Sequence, residues 1–343
     1  MKCELNRQGI QMGDCLTMIQ GNKKKIACDA VLRKNETGTW QRIIKSAHLS
    51  RPEHYFSIYM SGCNMNCRKC HSHEFTKAAS GEWMTTDQIA GLCAEYREQV
   101  TVYEPLERAL DWYASDLCRC CGYCVITGRR SPTCPGVLEP HQILLSPQGF
   151  GPARNIVGYT GGDLGCCVDF YVDLTRKIKT KSPELWILYE TNGYGLTSTN
   201  LKKLREAGVD SFWLDIKAFD PVIHKKLCGV DNHRILDLPK QVQQFGFQLE
   251  VLSLFIPRWV ETDQLSKIAL LLAEVNREIP FTLLAFFPEY RMMNTRSPNT
   301  VEMIESYHAV KKAGLKNVRI GNIGVFAKTE TDYELLKRET GIE

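Results

Sequence analysis

The sequence has no long apolar run. Stretches such as 281–287 fall well short of the ~20 residues that a membrane-crossing helix needs. Its opening, MKCELNRQGIQMG, lacks the apolar core of a secretory signal, so a cytoplasmic location is expected. Charge imbalance is slight: 43 Lys and Arg stand against 39 Asp and Glu, a net charge of +4. That excludes a strongly basic nucleic-acid binder as the first expectation. The excess lies in residues 1–54, which read as a solvated, basic N-terminal face. There is no low-complexity tract, and no repeat other than a strand–helix rhythm. With 343 residues, 43% hydrophobic and 24% charged, the chain can bury a sizeable core with insertions; disorder and fibrous architectures are excluded.

What the sequence has in excess is cysteine, fifteen residues of it. Without an export signal, disulfides explain this less well than metal or redox chemistry. The cysteines are also clustered, as ligand sets are.

From residue 55 onward, short runs rich in β-branched and aromatic residues alternate with segments of helical period. Strands are expected at 55–59, 156–160, 185–190, 211–216, 248–254, 281–286 and 318–320. Helices are expected near 168–179, 198–207, 236–245, 262–276 and 300–313, with Gly208 and Gly314 as helix-ending glycines. Such alternation implies right-handed βαβ units around a parallel sheet. The expected fold class is α/β, a partial (β/α)6-type TIM barrel, with a doubly wound sheet as the alternative. The expected organisation is an N-terminal extension (1–54) with one short hairpin, a barrel core (55–325) carrying a cysteine-rich insertion (86–150), and a C-terminal helix (326–343).

Directly after the first expected strand stands SGCNMNCRKCHSHEF, in which Cys63, Cys67 and Cys70 have C-x3-C-x2-C spacing. Three thiolates on one tight loop can hold three corners of a [4Fe–4S] cube. No fourth cysteine stands nearby in the sequence, which would leave one iron open to an external ligand. A zinc knuckle or unrelated free thiols are the alternatives. Three further polar groups stand at ends of expected strands: Gly161, Gly162 and Asp163 in YTGGD; Glu190, Thr191, Asn192 and Gly193 in YETNG; Asp215 and Lys217 in WLDIKAFDP. In a β/α barrel those ends form one face, the face that carries active sites. The two glycines would let backbone approach a ligand. Asp163 can accept hydrogen bonds from an ammonium. Asp215 and Lys217, at i and i+2, share a face of their strand, either as a functional pair or as a neutralised one.

This ordered set resembles the radical S-adenosylmethionine (radical SAM) superfamily over about residues 55–325. The run LDIKAFDPVIHKKLCGVDN resembles the activating enzymes of glycyl-radical enzymes, such as the pyruvate formate-lyase activating enzymes. The resemblance implies a catalytic [4Fe–4S] cluster on Cys63, Cys67 and Cys70. It implies S-adenosylmethionine contacts at Gly161, Gly162, Asp163, Glu190, Asn192, Asp215 and Lys217, and a monovalent cation near Glu190, Thr191 and Asp215. It also implies a low-potential electron donor, a ferredoxin or flavodoxin, and a substrate that is a glycyl-radical partner protein or else a small molecule, lipid or peptide. Lys69 stands where the family commonly has an aromatic residue against adenine. Phe287, Pro288 and Glu289 stand where many relatives have a histidine.

Cys118, Cys121 and Cys124, with Cys134 before Pro135, form a second cluster. The pattern is ferredoxin-like apart from nine residues before the last cysteine. Four thiolates would close a second [4Fe–4S] cluster for electron relay or structure; a structural zinc is the rival, and Cys120 is a spare ligand. Cys166 and Cys167 are candidates for hydrogen-atom donation, metal binding or packing. Cys3, Cys15, Cys28, Cys93 and Cys228 are assigned to packing, and His71 and His73 to contacts around the first cluster. The reading as a whole is a radical SAM enzyme, against a non-catalytic iron–sulfur carrier and a zinc-stabilised interaction protein.

Overall fold

The computed structural model describes residues 3–341. Seven parallel strands run side by side in the order of the chain: Phe56–Met60, Ile156–Gly161, Trp186–Thr191, Ser211–Asp215, Gln248–Phe255, Phe281–Ala285 and Val318–Gly321. Registers such as Phe56↔Val157, Ile187↔Val157 and Leu214↔Val251 are continuous. The two outer strands of the sheet do not pair with each other, so the α/β barrel is partial. Each expected strand is present within two residues of its expected ends. The expected helices are present as Val168–Lys181, Ser198–Ala207, His233–Gln244, Thr262–Val275 and Thr300–Lys312, and the C-terminal one as Glu330–Thr340. Among the described residues no helix is long and apolar enough to cross a membrane.

Strand alternation divides the apolar residues between two cores. Ile187, Tyr189, Phe212 and Val251 pack into the large core that includes Phe170, Leu174 and Leu201 of the surrounding helices. On the other side, Tyr55, Ile156 and Leu188 form a smaller core with Ala109 of the insertion.

Two parts of the chain differ from expectation. Residues 1–54 do contain the short hairpin, Leu16–Ile19 with Lys23–Ile26. However, Trp40–Leu49 is a ten-residue strand antiparallel to Phe56–Met60 and belongs to the main sheet. Its signal was masked because Arg42, a cation, is wholly buried beside Ile43 and Ile44. That guanidinium donates to the carbonyls of Ser61 (3.1 Å) and Gly162 (2.7 Å) and to the Tyr171 hydroxyl (2.6 Å), joining the ends of the first two parallel strands. The second difference is the start of the insertion. Thr86–Arg97, N-capped by Thr85 in a capping box with Gln88, packs against Val168–Lys181 as a barrel helix. The inserted part proper therefore follows it.

The insertion plugs the end of the barrel where the strands begin. The Trp112 backbone N–H donates to Glu250 (2.7 Å), Ser211 donates to the Ala109 carbonyl (2.6 Å), and Trp186 donates to the Glu104 carbonyl (2.7 Å). A buried Arg154–Glu104 ion pair anchors it, with Arg154 also donating to the carbonyls of Arg108 and Leu110.

Candidate active site

The loop after Phe56–Met60 carries Cys63, Cys67 and Cys70 at the end of the barrel where the strands finish. The loop is held from three sides. The Asn64 N–H donates to the Asp163 carbonyl (2.8 Å), the Asn66 and Arg68 N–H groups donate to the Cys228 and Leu227 carbonyls, and Ser61 Oγ donates to the Phe75 carbonyl (2.5 Å). Cys67 is buried, and Cys63 and Cys70 are half-buried. Lys77 adds a positive field at all three thiols. Burial pushes the Cys63 thiol up to about 11, with Lys77 opposing, and raises Cys70 as well. The Cys67 thiol is held down at about 6, first by a hydrogen bond with the Cys228 thiol, then by Lys217 and Lys77 against its burial.

Cys228, distant in sequence, is a fourth cysteine beside the trio in the fold. It ends the helix Pro221–Cys228, 158 positions beyond Cys70, and only the fold brings it in. Lys77 was also missed, since nothing in its spacing separates it from a surface lysine.

The Gly-Gly-Asp turn follows the second parallel strand. A Cβ on Gly162 would lie 2.1 Å from the Gly62 carbonyl oxygen, and one on Gly161, at φ +83°, 2.6 Å from the Phe75 ring. These glycines are thus required for the turn to pack on the cysteine loop. Asp163 is buried and accepts four hydrogen bonds: from Tyr189 Oη (2.8 Å), Thr191 Oγ1 (2.7 Å), and the N–H groups of Asn192 (2.9 Å) and Gly165 (2.7 Å). It ties the ends of the second and third strands together. Asn192 reaches the trio directly, its Nδ2 donating to Asn64 Oδ1 (2.7 Å) and lying 3.6 Å from Cys63 Sγ.

At the fourth strand, Lys217 Nζ donates to Asp215 Oδ2, so the two do share a face. Burial acts to lower the Lys217 ammonium, but Asp215 and the thiols of Cys67 and Cys228 outweigh it and the net shift is upward. A cavity of about 300 Å³ is lined by Cys67, Lys69, Lys217, Cys228, Leu254 and Ile256 among others. Two buried polar atoms on this face have no partner, Asn64 Nδ2 and Asp215 Oδ1. Thiols and lysine ammonium groups beside this cavity, with unpartnered polar atoms on the same face of the barrel, fit an anionic cluster with a polar ligand.

Other expected residues are placed differently. Glu190 accepts from Tyr55 Oη (3.0 Å) and from Thr160 Oγ1, and burial raises its carboxyl to about 8. Thr191, one residue on, donates to Asp163. Among the described residues no three His, Cys, Asp or Glu side chains converge on a single-ion position. Lys69 pairs with Glu289, its ammonium 3.6 Å from the centre of the Phe287 ring. His73 Nδ1 donates to the Cys70 carbonyl (3.1 Å) and its ring stacks on Tyr290, while His71 is exposed and 3.1 Å from Glu289.

The second cysteine set lies at the other end of the barrel. Cys118, Cys121, Cys124 and Cys134 line one cavity of about 410 Å³, with Ser131 and Ile143. Cys120 is turned out of it, at φ +57°, with its Sγ 3.8 Å from His54 Nε2. His54 precedes the first parallel strand and Cys63 follows it, so the two cysteine sets are separated by the length of that strand.

Residues 118–265 match the sequence model of a family described as the Radical SAM superfamily; the matched segment begins at Cys118 and does not include Cys63, Cys67 or Cys70. A protein of Methanocaldococcus jannaschii, named provisionally as a glycyl-radical enzyme activating enzyme, is 28% identical over 138 residues, 39% of this chain and 51% of that protein. The chain thus matches about half the length of that relative. Among solved structures, a domain of a pyruvate-formate lyase-activating enzyme from Bacteroides vulgatus is similar at 17% identity and a TM-score of 0.42, over 48% of this chain and 98% of that one. Streptococcus suis SuiB is similar at 14% identity and a TM-score of 0.46, over 84% of this chain and 51% of that one.

Proposed function

We propose that this chain is a radical SAM enzyme, an oxidoreductase of the activating-enzyme type. The observation that carries this reading is the convergence, at one end of the barrel, of the Cys63–Cys67–Cys70 loop with Asn192, Lys217 and the unpartnered atoms of Asn64 and Asp215. Cys63, Cys67 and Cys70 would hold the cluster. When bound, a three-thiolate [4Fe–4S] cluster supplies one electron for cleavage of S-adenosylmethionine to methionine and a 5′-deoxyadenosyl radical, which removes a hydrogen atom from substrate.

The chain's own residues prepare that site. Lys77 and Lys217 offset thiolate charge in a low-dielectric setting. Asn64 Nδ2 and Asp215 Oδ1 offer a donor and an acceptor to the polar end of the cofactor. Asp163 is a positioning residue: its four hydrogen bonds fix the turn and hold Asn192 against Cys63. The buried Arg42 does the same for the Gly62 and Gly162 backbones. The Lys69–Glu289 pair, seated on Phe287, forms the wall where an adenine contact is expected. Cys118, Cys121, Cys124 and Cys134 would hold a second cluster at the far end of the barrel, served by a low-potential ferredoxin or flavodoxin. The relative's name favours a glycyl-radical protein as substrate.

The test is anaerobic reconstitution with iron and sulfide, followed by reduction in the presence of S-adenosylmethionine. Methionine and 5′-deoxyadenosine should form together, and Cys63→Ala, Cys67→Ala or Cys70→Ala should each abolish both. Undiminished deoxyadenosine from the triple variant overturns the assignment.

A further inference from the structure

Five of the cysteines not claimed by either expected cluster meet in one place. Cys3, Cys15, Cys28, Cys166 and Cys167 line a single cavity of about 400 Å³ that is open in part to solvent, and Met12, Ile26, Asn64 and Leu164 share its wall. They come from three separate stretches of the sequence, and the fold gives each a reason to be there. The hairpin register sets Leu16 opposite Ile26, and the Ala27 N–H then donates to the Cys15 carbonyl (2.7 Å), bringing Cys15 beside Cys28. The short helix Glu4–Arg7 packs on the turn Gly165–Cys167 and carries Cys3 to the same spot. The thiols form a chain of contacts: Cys28 hydrogen-bonds with Cys167, and Cys167 with Cys166. Cys15 lies in the field of Cys28 and Cys3. Cys15, Cys28 and Cys167 are buried.

Packing alone does not account for this. Protein interiors are close-packed, and small apolar residues fill space rather than wall it. Here five cysteines line a space similar in size to the one lined by the four cysteines of 118–134. Grouped thiolates select soft metal centres and iron–sulfur clusters.

We infer that this cavity holds a third iron–sulfur cluster, ligated by Cys15, Cys28 and Cys167, with the fourth ligand from Cys3 or Cys166. Its position gives it a use. Asn64 lines the cavity and also adjoins Cys63, whose Sγ lies 3.9 Å from Asn64 Oδ1. One residue separates this cavity from the three-cysteine loop. The set at 118–134 is a strand length away, about 17 Å for the five residues Phe56–Met60. The third site is thus the neighbour placed to pass a single electron, received from a low-potential donor protein, to the loop of Cys63. The ligation stands independently of the reaction proposed above.

The experiment measures iron and acid-labile sulfide per chain in the anaerobically reconstituted full-length protein. Three cubes correspond to about twelve irons per chain. Cys15→Ala/Cys28→Ala should lose about a third of both iron and sulfide, and Cys118→Ala/Cys121→Ala a separate third, with the losses adding in the combined variant. Iron and sulfide unchanged in Cys15→Ala/Cys28→Ala, or zinc in place of iron, overturns the proposal. Should that variant fail to fold, the wild-type protein decides. About twelve irons and twelve sulfides per chain are expected there, and about eight of each refutes the third cluster.

Discussion

Gly162→Ala puts the positioning argument at risk in one substitution. The new Cβ would sit 2.1 Å from the Gly62 carbonyl oxygen and 2.7 Å from that of Met60. Both are backbone atoms, so no side chain can swing aside. The first contact is 0.9 Å inside the 3.0 Å that real Cβ atoms essentially never breach. The loop must move by a comparable amount, and Cys63 follows Gly62 directly. Arg42, which grips the carbonyls of both Gly62 and Gly162, would be pulled out of register as well. Overpacking of this kind costs about 1–3 kcal/mol. Thermal unfolding of the anaerobic protein should show the loss. Iron bound by the Cys63 loop, counted with Cys118→Ala/Cys121→Ala and Cys15→Ala/Cys28→Ala already in place, should fall well below one cube per chain. Gly91→Ala is the control, because a Cβ there meets nothing within 4 Å and the site is helical; it should stabilise by up to about 1 kcal/mol. Equal Tm and equal iron in Gly162→Ala and its parent would refute the claim that this turn sets the position of the cysteine loop.

Three more outcomes are expected. Glu104→Ala leaves the wholly buried Arg154 without its partner and should cost about 3–5 kcal/mol in urea unfolding, loosening the insertion. Glu190 has its carboxyl raised by burial to about 8, so the folded state holds a proton that the unfolded state releases above about 4.5. Its contribution is complete at pH 4 and is lost as pH rises toward 8; Glu190→Gln should therefore flatten the fall in stability between pH 5 and 8, and an unchanged slope would count against it. Asn299 accepts from the Glu302 N–H (2.9 Å) in a capping box at the start of Thr300–Lys312; Asn299→Ala should cost about 1 kcal/mol by chemical denaturation.

The barrel was legible in the sequence because its strands are short apolar runs and its helices carry clear periodicity. Ser198–Ala207, with Thr197 as N-cap and Gly208 in the left-handed C-cap position, shows both ends of that signal. Trp40–Leu49 was hidden because a buried arginine interrupts its pattern, and a cation inside a core is visible only through the carbonyls that satisfy it. The cysteine loop was legible from spacing alone. Its partner was not: Cys228 reaches Cys67 from 161 positions away, and elsewhere the Cys28 thiol meets Cys167 from 139 positions away. Spacing reports ligands carried on one loop, whereas sites assembled from several loops leave no local mark. The Gly-Gly-Asp turn lay between these cases. Its place at the strand end was foreseen, but its glycines serve contact with Gly62 and Phe75, which only the packed structure reveals.

The sheet that never joins its two ends has a consequence for self-association. One margin is the three-residue strand Leu32–Lys34, the other the four-residue strand Val318–Gly321. Each leaves backbone donors and acceptors unpaired, an invitation for copies of the chain to stitch together. Brevity limits that invitation at both margins, and at the first the solvent-facing Arg33 and Lys34 set like charge against like charge in any head-on pairing. An unclosed barrel can remain dispersed because its free borders are short and guarded by charge.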